Sequence, residues 1–413
     1  MPLAPSGELS SIGIARETTY GTAPASGYIF FPSDNVAFEP NNELNQRTGA
    51  RKRIGQTRQS TGMIIGKGSF EAEADPDSIG SLLALVMGAE AIAPNVNNPT
   101  TAAAVNTTIT GPVSPGLQTV AVGSLTGITA GASLTIDTGA NAETVVVKVP
   151  PLNGTFSAFF RQSHAAGATV VNVPLVLAYD HTFTLASPRS FFTAQINEVI
   201  QARNCVGNKI SQLSIAPTSK AILTCKVATE FQADFLSTNP VTPVYSNLEA
   251  YSFITSGNYG QINGAQSDAT IMSWSVDVTT GLVAEYPNFG GGRLRSQLPE
   301  EQTKVAVSMM LGFETSTMNQ AFWGNIAGAT GPQATVLPIS IAYKFVSTDG
   351  VNAGVVYSMQ VIMGQCIMTA NSRPIRAGNY ISQSVKFETS ETLNGAGDDA
   401  KFIVTSAAAG ASI

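Results

Sequence analysis

Residues 208–231 read NKISQLSIAPTSKAILTCKVATEF. On either side of Pro217, apolar side chains recur at every second position: Leu213 and Ile215, then Leu223, Cys225 and Val227. That period buries one face of an extended strand and suits no helix. The same alternation runs through TKVAVSMMLGFETSTMNQAFWG (303–324), SWSVDVTTGLVAEYPNF (273–289) and ISIAYKFVSTDGVNAGVVYSMQVIMGQCIMT (339–369), where STDGVN is a Gly-centred hairpin signal. A chain with so many long alternating segments has to be mainly β. Charged residues make up 12% of it, about half the usual ~25%. The strand faces are therefore neutral and polar, and a sparsely charged surface is cheap to bury against further copies of the chain.

One segment predicts a helix. Asp75-Pro76-Asp77-Ser78 places a proline and acids where a first turn tolerates or favours them. Ile79, Leu82, Leu83, Val86 and Met87 follow at helical spacing, and Gly88 is the stop. Upstream, residues 10–38 read as β structure broken by turns, and 63–74 as a strand. Residues 41–61, NNELNQRTGARKRIGQTRQST, have almost no apolar anchor and read as a long loop or arm. AIAPNVNNPTTAAAVNTTIT (91–110) reads as a linker. Short strands and Gly-rich turns between 111 and 173 have the size of a small β module. The tail KFIVTSAAAGASI reads as disordered.

Chemistry is scarce. Cys205, Cys225 and Cys366 form no metal or disulfide spacing and read as buried free thiols. The start lacks the basic and apolar regions of a signal peptide, and IGSLLALVMGA is too short to span a bilayer, so synthesis and folding in a cytoplasm are expected. His164 and His181 stand in no nucleophile motif, and there is no GxSxG, HExxH or P-loop. NFGGGRLR (288–295) lacks the context of a phosphate cradle and reads as a strand connection. No catalytic residue, metal or cofactor is predicted. Strand alternation puts Glu71, Glu73 and Asp75 on one face, opposite Ala72 and Ala74. Three carboxylates there could hold Ca²⁺, but they suit a solvated face and a helix start better, and a wall that repels polyanions is the third reading.

The basic residues Arg47, Arg51, Lys52, Arg53 and Arg58 cluster in a chain of net charge −6. They could neutralise nucleic-acid phosphates. No aromatic is interleaved for base stacking, and the rest of the chain is acidic. Carboxylates of a neighbouring copy are the better match.

ETTYGT (17–22) after SIGIAR, the polar segment that follows, GSFEAEADPDSIGSLLALVMGA, and the order of the later segments around FFTAQINEVIQARNCVGNKISQLSIAPTSK and VDVTTGLVAEYPNFGGGRLRSQLPEE resemble the bacteriophage tail tube proteins. The resemblance covers 1–92 and 175–413. It implies a tail-tube-type β-sandwich or barrel with one short helix and long loops. Residues 93–174 are then an inserted small all-β domain with its linker, on the tube exterior. It also implies hexameric rings of the chain, stacked into a tube through which DNA passes without specific binding. Tape measure, terminator, baseplate or tip proteins and a sheath would be partners; a membrane would not. The expected site residues are Arg47, Arg51, Lys52, Arg53 and Arg58 as an inter-subunit tie, and Glu71 and Glu73 as an acidic channel wall. The alternative is a surface-binding, glycan-type β protein, which 111–173 alone would fit.

Overall fold

The computed structural model describes residues 10–46, 59–97, 105–129, 133–172, 177–218, 222–262, 265–266, 271–283, 294, 298–312, 320, 322–323, 330–332, 338–352, 355–372, 382–389 and 400–412. The chain divides into two compact units. One comprises Met1–Pro94, Tyr179–Gly350 and Val356–Ile413, the other Asn95–Ala178 and Val351–Val355. Among the described residues the fold is mainly β, with large antiparallel sheets, one helix described over its whole length and no closed barrel.

In the larger unit the alternating segments pair in a continuous antiparallel run. Ser33–Gln46 pairs with Gln59–Glu73, which pairs with Leu223–Phe231. Next come Ala202–Pro217, Ile271–Leu282, Glu300–Gly312, Ser382–Thr389 and Val355–Ser372. Lys401–Ser406, Tyr179–Leu185 and Gly88–Pro94 complete the run. One face of these strands supplies the core, in which Phe70, Phe231, Trp274, Phe387 and Phe402 are almost fully buried. Each such ring stabilises the fold by about 1.5–3 kcal/mol relative to exposure.

Ala202–Pro217 belongs to two sheets. Its second half pairs with Leu223–Phe231 and Ile271–Leu282, whereas its first half pairs with Phe192–Asn197 and Ala233–Leu236. The change falls beside Gly207, whose φ of 67° disfavours any residue with a Cβ. A Cβ there would also stand 2.8 Å from Gln232 Cβ and Tyr20 Cε2.

The helix spans Ile79–Met87 and ends at Gly88, as its sequence predicts. Every residue except Ala84 is buried, so tertiary packing rather than propensity holds its nine residues.

Several sequence expectations need correction. The segment 41–61 is not a free arm throughout, because the hairpin ladder extends to Gln46 opposite Gln59. Residues 91–94 are strand rather than linker, and Asn106–Thr108 is strand as well. STDGVN is not a turn, since strand Ile339–Asn352 runs through it. The tail is ordered over Lys401–Ser406, pairing on both sides.

The smaller unit has its own six-stranded antiparallel run: Asn106–Thr108, Thr169–Asn172, Ser133–Ile136, Glu143–Leu152, Thr155–Phe160 and Gly116–Ala121. An isolated bridge joins Ile109 and Val122, just beyond the strands Asn106–Thr108 and Gly116–Ala121. Leu134, Ile136, Val145, Val147, Phe156, Phe160 and Val170 fill a separate core. Asn153 and Gly154 both take positive φ, the requirement of a two-residue primed hairpin turn.

Candidate functional site

The face of the long sheet turned away from the core is polar. On strand Gln59–Glu73, Phe70 and Ala72 point inward, while Lys67, Ser69, Glu71 and Glu73 point outward. Glu71 stands opposite Lys226 in the ladder, and the Lys226 ammonium donates to Glu71 Oε1 at 2.8 Å. On the same face lie Asp34, Glu39, Glu230, Asp277 and Glu388, with Lys304 and Lys386 as further cations. Glu388 accepts from both lysines, and those bonds, Lys304's first, lower its pKa despite partial burial. Such exposed pairs contribute about 0–1 kcal/mol each. Their effect is to grade the charge: among the described residues acids outnumber lysines, and Glu71 has a lysine partner where Glu73 has none.

Asp75 leaves this face, contrary to the alternation. Its carboxylate is buried and accepts from the backbone N–H groups of Asp77 and Ser78 and from the Ser78 hydroxyl. It caps the helix start. Desolvation raises its pKa despite those bonds. The three carboxylates therefore do not converge. Among the described residues no three His, Cys, Asp or Glu side chains could hold a metal ion.

Arg47, Arg51, Lys52, Arg53 and Arg58 all lie outside the described residues. Their position in the chain is nevertheless defined, because they connect the two paired strands that end at Gln46 and begin at Gln59. Most of NFGGGRLR also lies outside the described residues.

Two buried clusters escaped the sequence reading. Glu17, first residue of ETTYGT, accepts from Thr193 Oγ1 at 2.8 Å, from the Gly207 amide at 2.7 Å and from the Gly21 amide at 2.8 Å. Burial outweighs these bonds and raises its pKa. It ties the first strand's exit to the point where Ala202–Pro217 changes sheets. The second cluster gathers Lys209, Arg189 and Glu300. Lys209 donates to Glu300 Oε1 and to the Leu298 carbonyl, with its ammonium 4.3 Å from the Phe191 ring centre. Arg189 donates its amide to Glu300 and its guanidinium to Thr303. Burial acts to raise the Glu300 carboxyl, but these donors and charges hold it below the usual range. Both clusters are assembled from residues far apart in sequence, so only an unexplained acid beside an apolar strand could have signalled them.

The histidines are fixed by structural bonds. His164 bridges Asp137 and Glu143 at 3.4 and 2.6 Å, and His181 bonds Glu90 at 2.7 Å and the Ala408 carbonyl at 2.9 Å. All three cysteines are free and buried. Desolvation raises their thiols, that of Cys366 to about 12. None is available as a thiolate nucleophile.

The profile of the phage tail tube proteins matches residues 7–389. The chain belongs to that family. Comparison with curated proteins gives no match. A tail tube protein is a structural component of the phage tail, and it assembles with itself and with other tail components. The matched span includes the smaller unit. The polar sheet face and the hairpin connected through the basic segment are thus features of a tail tube protein, and neither carries a catalytic constellation among the described residues.

Proposed function

We propose that this tail tube protein forms hexameric rings that stack into the conduit through which DNA leaves the particle, with tape measure, terminator, tip or baseplate proteins, and a sheath where there is one, as neighbours. The observation that carries this reading is the family match combined with a broad antiparallel sheet whose polar face is more acidic than basic. Such a face repels phosphates and lets a duplex slide. Glu71 and Glu73 contribute to that wall, Glu73 more strongly because Lys226 offsets Glu71. Among the described residues strand Ser33–Gln46 has one pairing partner, Gln59–Glu73, and pairing its other side with a neighbouring copy would remove an exposed edge. The basic connection 47–58 then meets carboxylates of an adjacent copy. The smaller unit serves on the exterior, as an insertion that the tube itself does not need. The chain is made in the host cytoplasm and works as a structural protein without catalysis.

Electron microscopy of purified protein tests the reading. Stacked rings are expected, and dispersed monomers at high concentration would overturn it. Arg51, Lys52 and Arg53 replaced together by Ser should abolish tubes while leaving monomer folding intact. Normal tubes that have lost DNA affinity would instead assign the basic segment to nucleic acid.

A further inference from the structure

The smaller unit has a cleft of its own. Strand Glu143–Leu152 pairs with Ser133–Ile136 through Glu143–Val146, and with Thr155–Phe160 only from Val147 onward. Phe159 and Phe160, at the far end of that partner, pair with Leu117 and Gly116. The two strands thus part, and the gap between them is a cleft of about 520 Å³ lined by Glu143, Thr144, Lys148, Phe159, Arg161 and Gln162. That size falls within the ~300–1,000 Å³ of small-ligand sites.

Charge is distributed unevenly around it. Residues 95–178 hold four Asp, Glu, Lys or Arg side chains in all: Asp137, Glu143, Lys148 and Arg161. Both acids are turned to His164, and Glu143 also accepts from the amides of Arg161 and Gln162. Burial acts to raise Glu143, yet these bonds hold it below the usual carboxylate range, so the acid is satisfied internally. Both cations line the cleft, and among the described residues neither forms an ion pair. Beside them Phe159 exposes 56% of its surface, although its strand neighbours Ala158 and Phe160 are fully buried. One cleft thus brings together an exposed ring and two cations without ion pairs, with Thr144 and Gln162 adding hydroxyl and amide groups, the mixed apolar and polar lining of a ligand site.

We propose that this cleft binds a carboxylate-bearing sugar unit of an acidic polysaccharide. The apolar face of the pyranose ring stacks on Phe159. The Arg161 guanidinium and Lys148 ammonium take the carboxylate, Arg161 having the fork that matches it. Thr144 and Gln162 meet ring hydroxyls. A single-stranded nucleic acid fits less well, since it needs a cationic track and successive stacking rings, and this cleft offers one ring and two cations. The inference does not depend on ring formation.

Isothermal titration of the full-length protein with an oligogalacturonate tests it, with a neutral glucose oligomer and oligothymidylate as comparisons. Oligogalacturonate should bind, the neutral oligomer should bind at least about tenfold more weakly, and added salt should weaken the interaction. Phe159→Ser and Arg161→Gln should each lower affinity about tenfold with the melting temperature unchanged, because both side chains are exposed. Absence of oligogalacturonate binding, equal binding of the neutral oligomer, tighter binding of oligothymidylate, or full affinity in both variants would each overturn the proposal.

Discussion

Pro94 and Tyr179 face each other as the end pair of the ladder between strands Gly88–Pro94 and Tyr179–Leu185. The chain leaves the larger unit at one of these residues and re-enters it at the other. The 84 intervening residues carry a separate core, so the larger unit's strand pairing closes without them.

Replacing residues 95–178 by an Asn-Gly turn should therefore give a protein that still unfolds cooperatively and keeps its β circular dichroism. The same variant should still form tubes if the smaller unit is external. Aggregation of this variant under conditions where the parent is soluble would count against both statements.

The change of sheets at Gly207 makes a sharp prediction. Gly207→Ala combines a positive φ with a Cβ 2.8 Å from Tyr20 and Gln232. A loss of about 1–3 kcal/mol is expected in urea unfolding. Glu17→Ala should cost a similar amount, about 1–3 kcal/mol, because the Gly207 and Gly21 amides and the Thr193 hydroxyl lose their acceptor.

Glu300→Gln leaves Lys209 and Arg189 buried together without a counter-charge. A destabilisation of about 3–5 kcal/mol should appear in equilibrium unfolding. Lys209→Met in the same background should recover part of it, since it removes the stranded charge. No recovery would show that the loss comes from packing alone.

The end of the chain should respond to acid. Ser412 donates its amide and hydroxyl to Glu90, which His181 also contacts. Burial acts to raise the Glu90 carboxyl, but these bonds prevail and its pKa is lowered in the folded state. Its stabilising contribution is therefore complete above the ordinary carboxylate pKa of about 4.3. It is lost as pH falls through the lower folded value. Protection of the 408–412 amides, measured as exchange relative to the intrinsic rate at each pH, should fall as pH drops below the ordinary carboxylate range, whereas in Glu90→Gln it should be low at neutral pH as well. Unchanged protection in that variant would show that the tail is held by other contacts.

The elements that sequence predicts well are those whose side chains report burial. Leu213, Ile215, Cys225 and Val227 alternate because one sheet face is core, and Ile79–Met87 begins and ends on residues suited to a helix boundary. Sequence pattern fails where backbone pairing continues without an apolar face. Asn41 and Asn42 are exposed yet remain in the ladder opposite Ile65 and Ile64, so a polar stretch that reads as loop is strand. Gly88–Pro94 is Ala-rich and gains its identity from a partner 85 residues later. The candidate site is legible in part: alternation puts Glu71 and Glu73 outward, but the register that brings Lys226 to Glu71 is a tertiary fact. Glu17 and Thr193 bond across 176 positions, beyond the reach of any local pattern.

The burial of all three thiols bears on the life of a particle outside the cell. Cys205, Cys225 and Cys366 are each 0% exposed and free. Oxidants attack the thiolate, which these environments suppress. A chain folded under reducing conditions can therefore move into aerated surroundings without forming disulfide cross-links or losing core packing to cysteine oxidation. Reductants should leave its stability unchanged, and peroxide should act first on the exposed methionines Met272 and Met310 rather than on the thiols.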